Sequence, residues 1–154
     1  MNKRVLLLSI QPPHAEKIFE RTKLVELRRT RPAIVAGDLI LVYVSSPVKA
    51  IVGVLEIDRI IEATPARLWP EVSGKAGIDR KQFDEYYIGA ERAFGLFLKN
   101  VRWFPHPIDL QYLRRLWHNF RPPQSFRYLS WLEFGYLVDA SNMLRKRQMF
   151  SMIP

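Results

Sequence analysis

Leu39-Ile-Leu-Val-Tyr-Val-Ser45 is an almost unbroken apolar run set between a Gly37-Asp38 turn and a Ser46-Pro47 break, and it narrows the possible folds most. A run this short reads as a strand covered on both faces. Ala50 to Ile61 resumes in extended form after a short polar loop, so the two segments read as a hairpin, with Gly53 a bulge where a barrel bends. Val5 to Ile10 is another short buried strand, and Arg92 to Trp103 a longer one.

Helical signals fall between these runs. Pro13 suits a first helical turn, and Ala15, Ile18 and Phe19 share one face of a helix ending near Arg21. Thr64-Pro65 has the form of an N-cap and a first-turn proline, and Asp79 can cap a helix reaching about Tyr87. Asp109 can cap a helix with Leu110, Leu113 and Trp117 inward. A last helix is expected over about Tyr128 to Arg145, with Leu129, Leu132, Tyr136 and Met143 inward. The order β, α, β, β, β, α, β, then helices, points to an α+β fold: a small closed or nearly closed sheet with helices outside it. With 154 residues, no repeat and no linker, a single domain over 1–154 is expected.

The chain contains no cysteine, which excludes disulfides, thiolate catalysis and cysteine-ligated metals and fits a cytoplasmic setting. His14, His106 and His118 lie far apart, without ligand spacing, and read as surface residues. Glycine-rich phosphate loops and a Gly-x-Ser-x-Gly elbow are missing, so neither metal nor cofactor is expected. The apolar stretch at the N-terminus is too short for a signal peptide or membrane span.

Charge is the positive signal. Twenty-four Lys and Arg against 15 Asp and Glu give +9, a field that attracts polyanions. Arg21 to Arg31 holds five cations against Glu26, on a strand and its flanks. In an extended Lys23-Leu-Val-Glu-Leu-Arg-Arg29, Glu26 and Arg28 share a face, with Lys23 at the strand's start. Cations on a rigid frame suit phosphate contacts. A carboxylate held among them stays ionised and can accept from a base's exocyclic amine, or act as a weak general base. The same residues also suit a solvated edge strand with a structural ion pair. Ser45, Ser46 and Lys49 form a polar loop able to hold a phosphate. The eight cations between Arg102 and Arg147 face three anions and interleave with Phe120, Phe126 and Tyr128. Rings beside arginines offer stacking surfaces for unpaired bases.

Four spaced motifs together resemble the ASCH domain of the PUA-like superfamily: Ile10-Gln-Pro-Pro-His-Ala-Glu-Lys-Ile-Phe, Thr22-Lys-Leu-Val-Glu-Leu-Arg-Arg, Gly37-Asp-Leu-Ile-Leu-Val-Tyr, and Ser46-Pro-Val-Lys-Ala-Ile-Val-Gly-Val-Leu-Glu. Phe83-Asp-Glu-Tyr-Tyr-Ile-Gly and Ala93-Phe-Gly-Leu-Phe-Leu continue the resemblance in order. It implies a small mixed five- or six-stranded β-barrel with peripheral helices, a core of about 1–104 and a helical C-terminal extension of about 105–154. It also implies a cleft between barrel and first helix that takes RNA or a nucleotide. The family's cleft residues fall on Lys23, Glu26, Arg28, the Ser45–Lys49 loop and Tyr86. Some bacterial members deacetylate N4-acetylcytidine with a Lys, a Thr and a Glu. Lys23 matches their lysine, Glu26 occupies the threonine position, and Glu85 is the candidate glutamate.

The expected function is therefore an RNA- or nucleotide-binding module, with DNA also open and no membrane partner. A hydrolase acting on an acylated nucleoside or RNA, with Lys23, Glu26 and Glu85 as catalytic candidates, is the alternative. A docking role for the C-terminal third is the other.

Overall fold

A computed structural model describes residues 3–151, with side chains through residue 144. The side chains of Arg145, Lys146 and Arg147 lie outside the described residues. The elements run β1 (Val5–Ile10), α1 (Pro12–Phe19), β2 (Val25–Arg28), β3 (Leu39–Val44), β4 (Ala50–Ala63), α2 (Pro65–Val72), α3 (Arg80–Tyr86), β5 (Ala93–Asp109), α4 (Leu110–Leu116), β6 (Phe126–Leu129) and α5 (Trp131–Ser151).

Six strands form one sheet in the order β2-β5-β4-β3-β1-β6. The expected hairpin is β3–β4, antiparallel with Leu41 opposite Val54. β1 joins parallel to β3 and antiparallel to β6. The sheet curls but does not close: β2 and β6 are its two edges, so of the closed or nearly closed sheet expected it is the open form, a half-barrel. One core fills the concave side with Leu6, Leu8, Ile40, Val42 and Leu55 under Ile18 and Phe19 of α1. A second packs Leu7, Leu41 and Ile51 against α4 and α5, and a third places Leu27 and Val25 against α2 and α3.

The capping signals act as read. The Thr64 hydroxyl accepts from Arg67 N at 3.3 Å, Asp79 and Gln82 form a reciprocal capping box, and Asp109 accepts from Tyr112 N at 2.8 Å. Three expectations change. β5 runs on through Pro105 and Pro107, because both fall where the β4–β5 ladder is interrupted between the Gly53–Trp103 and Ile51–Ile108 pairs, and no amide is required of them there. Residues 126–129 are a strand, so Tyr128 and Leu129, expected to open the last helix, are not helical. The helix starts at Trp131 because Ser130 and Glu133 form a capping box, with Ser130 Oγ accepting from Glu133 N and Glu133 Oε1 from Ser130 N, both at 3.0 Å. The inward face differs too: Leu132, Tyr136 and Met143 are exposed, while Leu137, Ala140 and Ser141 are buried. The helix carries two apolar stripes. Packing on β5 selects the one whose Ser141 hydroxyl binds both the amide and the carbonyl of His106.

Gly53 seats α1. A Cβ there would collide with the Arg102 carbonyl oxygen and lie 2.5 Å from the Phe19 ring, which in turn stacks on Trp103 at 4.1 Å. Helix α1 therefore approaches the sheet at a distance only glycine permits. Gly53→Val is expected to cost about 1–3 kcal/mol by overpacking, read as a lower urea midpoint with an unchanged m-value.

Candidate functional site

The cleft is built where α1 turns into β2. Thr22 N and Lys23 N both bond to Lys17 O, at 2.9 and 3.0 Å, and Arg21 takes a positive φ of 65° to make that turn. The turn delivers Lys23 immediately before β2. Alternation along β2 then sends Val25 and Leu27 into the core and Glu26 and Arg28 to the other face, where the turn has also brought Lys23.

These three side chains form one row, buried at Lys23 and Glu26 and half-buried at Arg28. Lys23 is 3% exposed and Glu26 7%. Lys23 Nζ donates to the Ala76 carbonyl at 2.8 Å and lies 3.6 Å from Glu26 Oε1. Glu26 Oε2 faces Arg28 Nη2, also at 3.6 Å. Burial pulls the Lys23 ammonium below its ordinary range, and Glu26 opposes that shift. Arg28 reaches across the open side of the sheet: Nη1 donates to Ser125 Oγ and Nη2 to Ser9 O, each at 3.2 Å. Its Nε is buried without a partner.

The row lines a cleft of about 450 Å³ that also takes in Ser9, Gln11, His14, Gln82, Tyr86 and Gln124. Tyr86 is 40% exposed, and its hydroxyl donates to Leu27 O at 3.2 Å, which leaves its ring at the mouth as a stacking surface. Gln82 spends its carbonyl oxygen on Asp79 N at 3.0 Å, so its amide hydrogens remain for a ligand. The lining combines a cation pair, one carboxylate, amides that donate and accept, and an aromatic face. Such a set can hold a phosphate and read the edge of a base.

Lys23, Glu26, Arg28 and Tyr86 thus converge on one hollow. Ser45, Ser46 and Lys49 do not line it. They form the β3–β4 turn, where Ser45 N bonds to Ile10 O at 3.0 Å beside the cleft's rim. Glu85 is exposed on α3 and turned away, while Gln82 and Tyr86, one turn apart, face inward. His14 departs from the surface role expected of it: it is half-buried in the cleft wall with Nδ1 enclosed and unpartnered. Burial first, then Lys23, lowers its pKa below the ordinary 6.5. Its signal was the helical face it shares with Ile18. Gln124 and Ser125 had no local signal, since only the β1–β6 pairing brings them here.

A curled half-barrel with a charged cleft between its first helix and its edge strand defines a PUA-like domain, and solved structures bear this out. The ASCH structure from Zymomonas mobilis superposes with a TM-score of 0.84 at 29% identity, covering 90% of this chain and 96% of that one. Human THYN1, solved in complex with 5-methylcytosine containing DNA, shares the fold at a TM-score of 0.56 and 14% identity, covering 90% of this chain and 98% of that one. The ASCH domain family model matches residues 8–104, and the chain belongs to that family. A Zymomonas mobilis protein named an ASCH domain-containing ribonuclease is 28% identical over 143 residues, 93% of this chain and 96% of that protein.

Removing one member of a buried ionic row leaves another uncompensated. Glu26→Gln is expected to lose about 3 kcal/mol in urea denaturation at pH 7. The deficit should shrink as pH rises toward 10. A lysine held below its unfolded pKa makes the unfolded state the better proton binder in that window, so stability climbs with pH there.

Proposed function

We propose that this ASCH domain binds RNA, one nucleotide of which enters the cleft. The observation that carries the reading is the largely buried Lys23–Glu26–Arg28 row opening into a hollow beside the exposed Tyr86 ring. Arg28 and Lys23 meet the phosphate or carbonyl oxygens, Glu26 accepts from an exocyclic amine, and Tyr86 stacks on the base. Ser45, Ser46 and Lys49 at the adjoining rim add backbone and ammonium contacts to the same strand. DNA fits the same chemistry, since nothing in the lining requires a 2′-hydroxyl.

Cleavage of the bound RNA is the second reading, favoured by the name of the Zymomonas relative. Lys23 and Arg28 would then stabilise the charge that develops on the attacked phosphate, with Glu26, the one carboxylate in the lining, as the acid–base group. Short RNA left intact by concentrated protein, with acetylcytidine also unchanged, rejects hydrolysis and leaves binding standing.

Binding is tested by fluorescence anisotropy with a labelled single-stranded RNA across a salt series. Affinity should fall steeply with salt. Arg28→Gln should make the log–log slope shallower by about 0.7, one phosphate contact on a single strand. Tyr86→Leu should weaken binding about tenfold by loss of stacking, with little effect on the slope. Affinity that ignores salt rejects the reading.

A further inference from the structure

A second hollow of about 350 Å³ lies away from the cleft, lined by Arg114, His118, Asn119, Phe120 and Arg121. No carboxylate lines it, and none of the ion pairs among the described residues involves Arg114, His118 or Arg121. The neighbouring cation, Arg127, is by contrast paired with Glu133 at 2.7 Å. The site is held in shape from beneath. Phe120 is buried, and its carbonyl accepts from Arg114 Nε at 3.3 Å, which fixes that arginine and leaves its terminal nitrogens toward the hollow. Asn119 takes a positive φ of 63° to turn the chain there. The end of α4 carries partial negative charge, which opposes an anion, but Arg114 and Arg115 in its last turn offset it.

The segment leaving this hollow leads to the cleft. Arg121 is followed by Pro122-Pro123, then by Gln124, which lines the cleft, and Ser125, which receives Arg28 Nη1. Two consecutive prolines hold themselves and the residue before each in extended form. At about 3.1 Å per residue, Arg121 and Gln124 stand about 9 Å apart, roughly the reach of one or two nucleotides of an extended strand. The segment is also clamped to the sheet, with Ser9 Oγ donating to Pro123 O and Ser9 N to Ser125 O.

We infer that the Arg114–His118–Arg121 hollow is a phosphate subsite for the strand flanking the nucleotide in the cleft, so that the ligand is a polynucleotide and not a free nucleoside. The inference rests on the cleft reading above. All five residues lie beyond the 8–104 family match, so the subsite belongs to this chain's C-terminal part. Guanidiniums without an ion-pair partner at a preset backbone offset meet successive phosphates at a reduced ordering cost, because the proline pair sets the spacing before the ligand arrives.

The test uses the full chain with a mixed-sequence single-stranded RNA hexamer and, separately, the four ribonucleoside 5′-monophosphates. Wild type should bind the hexamer more tightly than any monophosphate. Arg121→Gln should weaken the hexamer about fivefold and make its salt slope shallower by about 0.7, leave monophosphate binding unchanged, and be rescued by Arg121→Lys. Arg121 is exposed, so the substitution spares the fold. Hexamer affinity and slope unaffected by Arg121→Gln overturn the subsite alone. Failure of wild type to bind hexamer and monophosphates alike overturns the cleft reading, and the subsite with it.

Discussion

The two edges of the curled sheet never meet, and Arg28 is what spans them. A closed barrel would satisfy β2 and β6 with a shared ladder and leave no entrance. Here the guanidinium of β2 instead bonds to Ser9 at the end of β1 and Ser125 just before β6. A side chain in place of a ladder ties the edges while leaving space beside it. That space is the cleft, and its existence follows from six strands stopping short of closure.

Charge within the cleft is preset by the same economy. A lysine this deeply enclosed would favour its neutral form, yet the Ala76 carbonyl and Glu26 hold it, and Glu26 in turn faces Arg28. The row carries one positive charge beyond neutrality. Because desolvation was met on folding, an entering anion does not have to strip water from these groups a second time, and the low local polarizability strengthens each contact. Such a row is a poor source of stability and a good source of orientation. The seating of α1 on Gly53 matters for the same reason: it fixes Gln11 and His14 in the opposite wall.

Strand and helix positions in the first hundred residues were legible because their signals are local: apolar runs cut by proline and glycine, and caps at Thr64 and Asp79. The shared face of Glu26 and Arg28 was legible because strand alternation is a rule of period two, whereas Lys23, of the opposite parity, joins them through the turn at Arg21. What escaped depended on pairing over long separations. Tyr128 and Leu129 read equally as a helix start, and only β1, more than a hundred residues earlier, makes Phe126 to Leu129 a strand. The face α5 buries was a choice between two apolar stripes that the helix alone cannot make. Gln124 and Ser125 enter the site through that same pairing. His14 looked like a lone surface histidine because no neighbour in sequence reveals a cavity.

The boundary of the family match at residue 104 falls inside β5, not between elements. Everything after it could be regarded as an appendage, but β6 is hydrogen-bonded into the sheet and its leading segment supplies the partner that Arg28 needs. The shared core therefore provides the charged row, and the C-terminal part provides the rim that frames it. A chain cut at residue 104 would leave the Arg28 guanidinium with only Ser9 and Glu26, and β1 with a free edge. An open β1 edge beside a loosened arginine is a different cleft, wider and without a fixed far wall. The cleft is accordingly composed jointly by a family core that supplies its charged row and a C-terminal part that fixes its geometry.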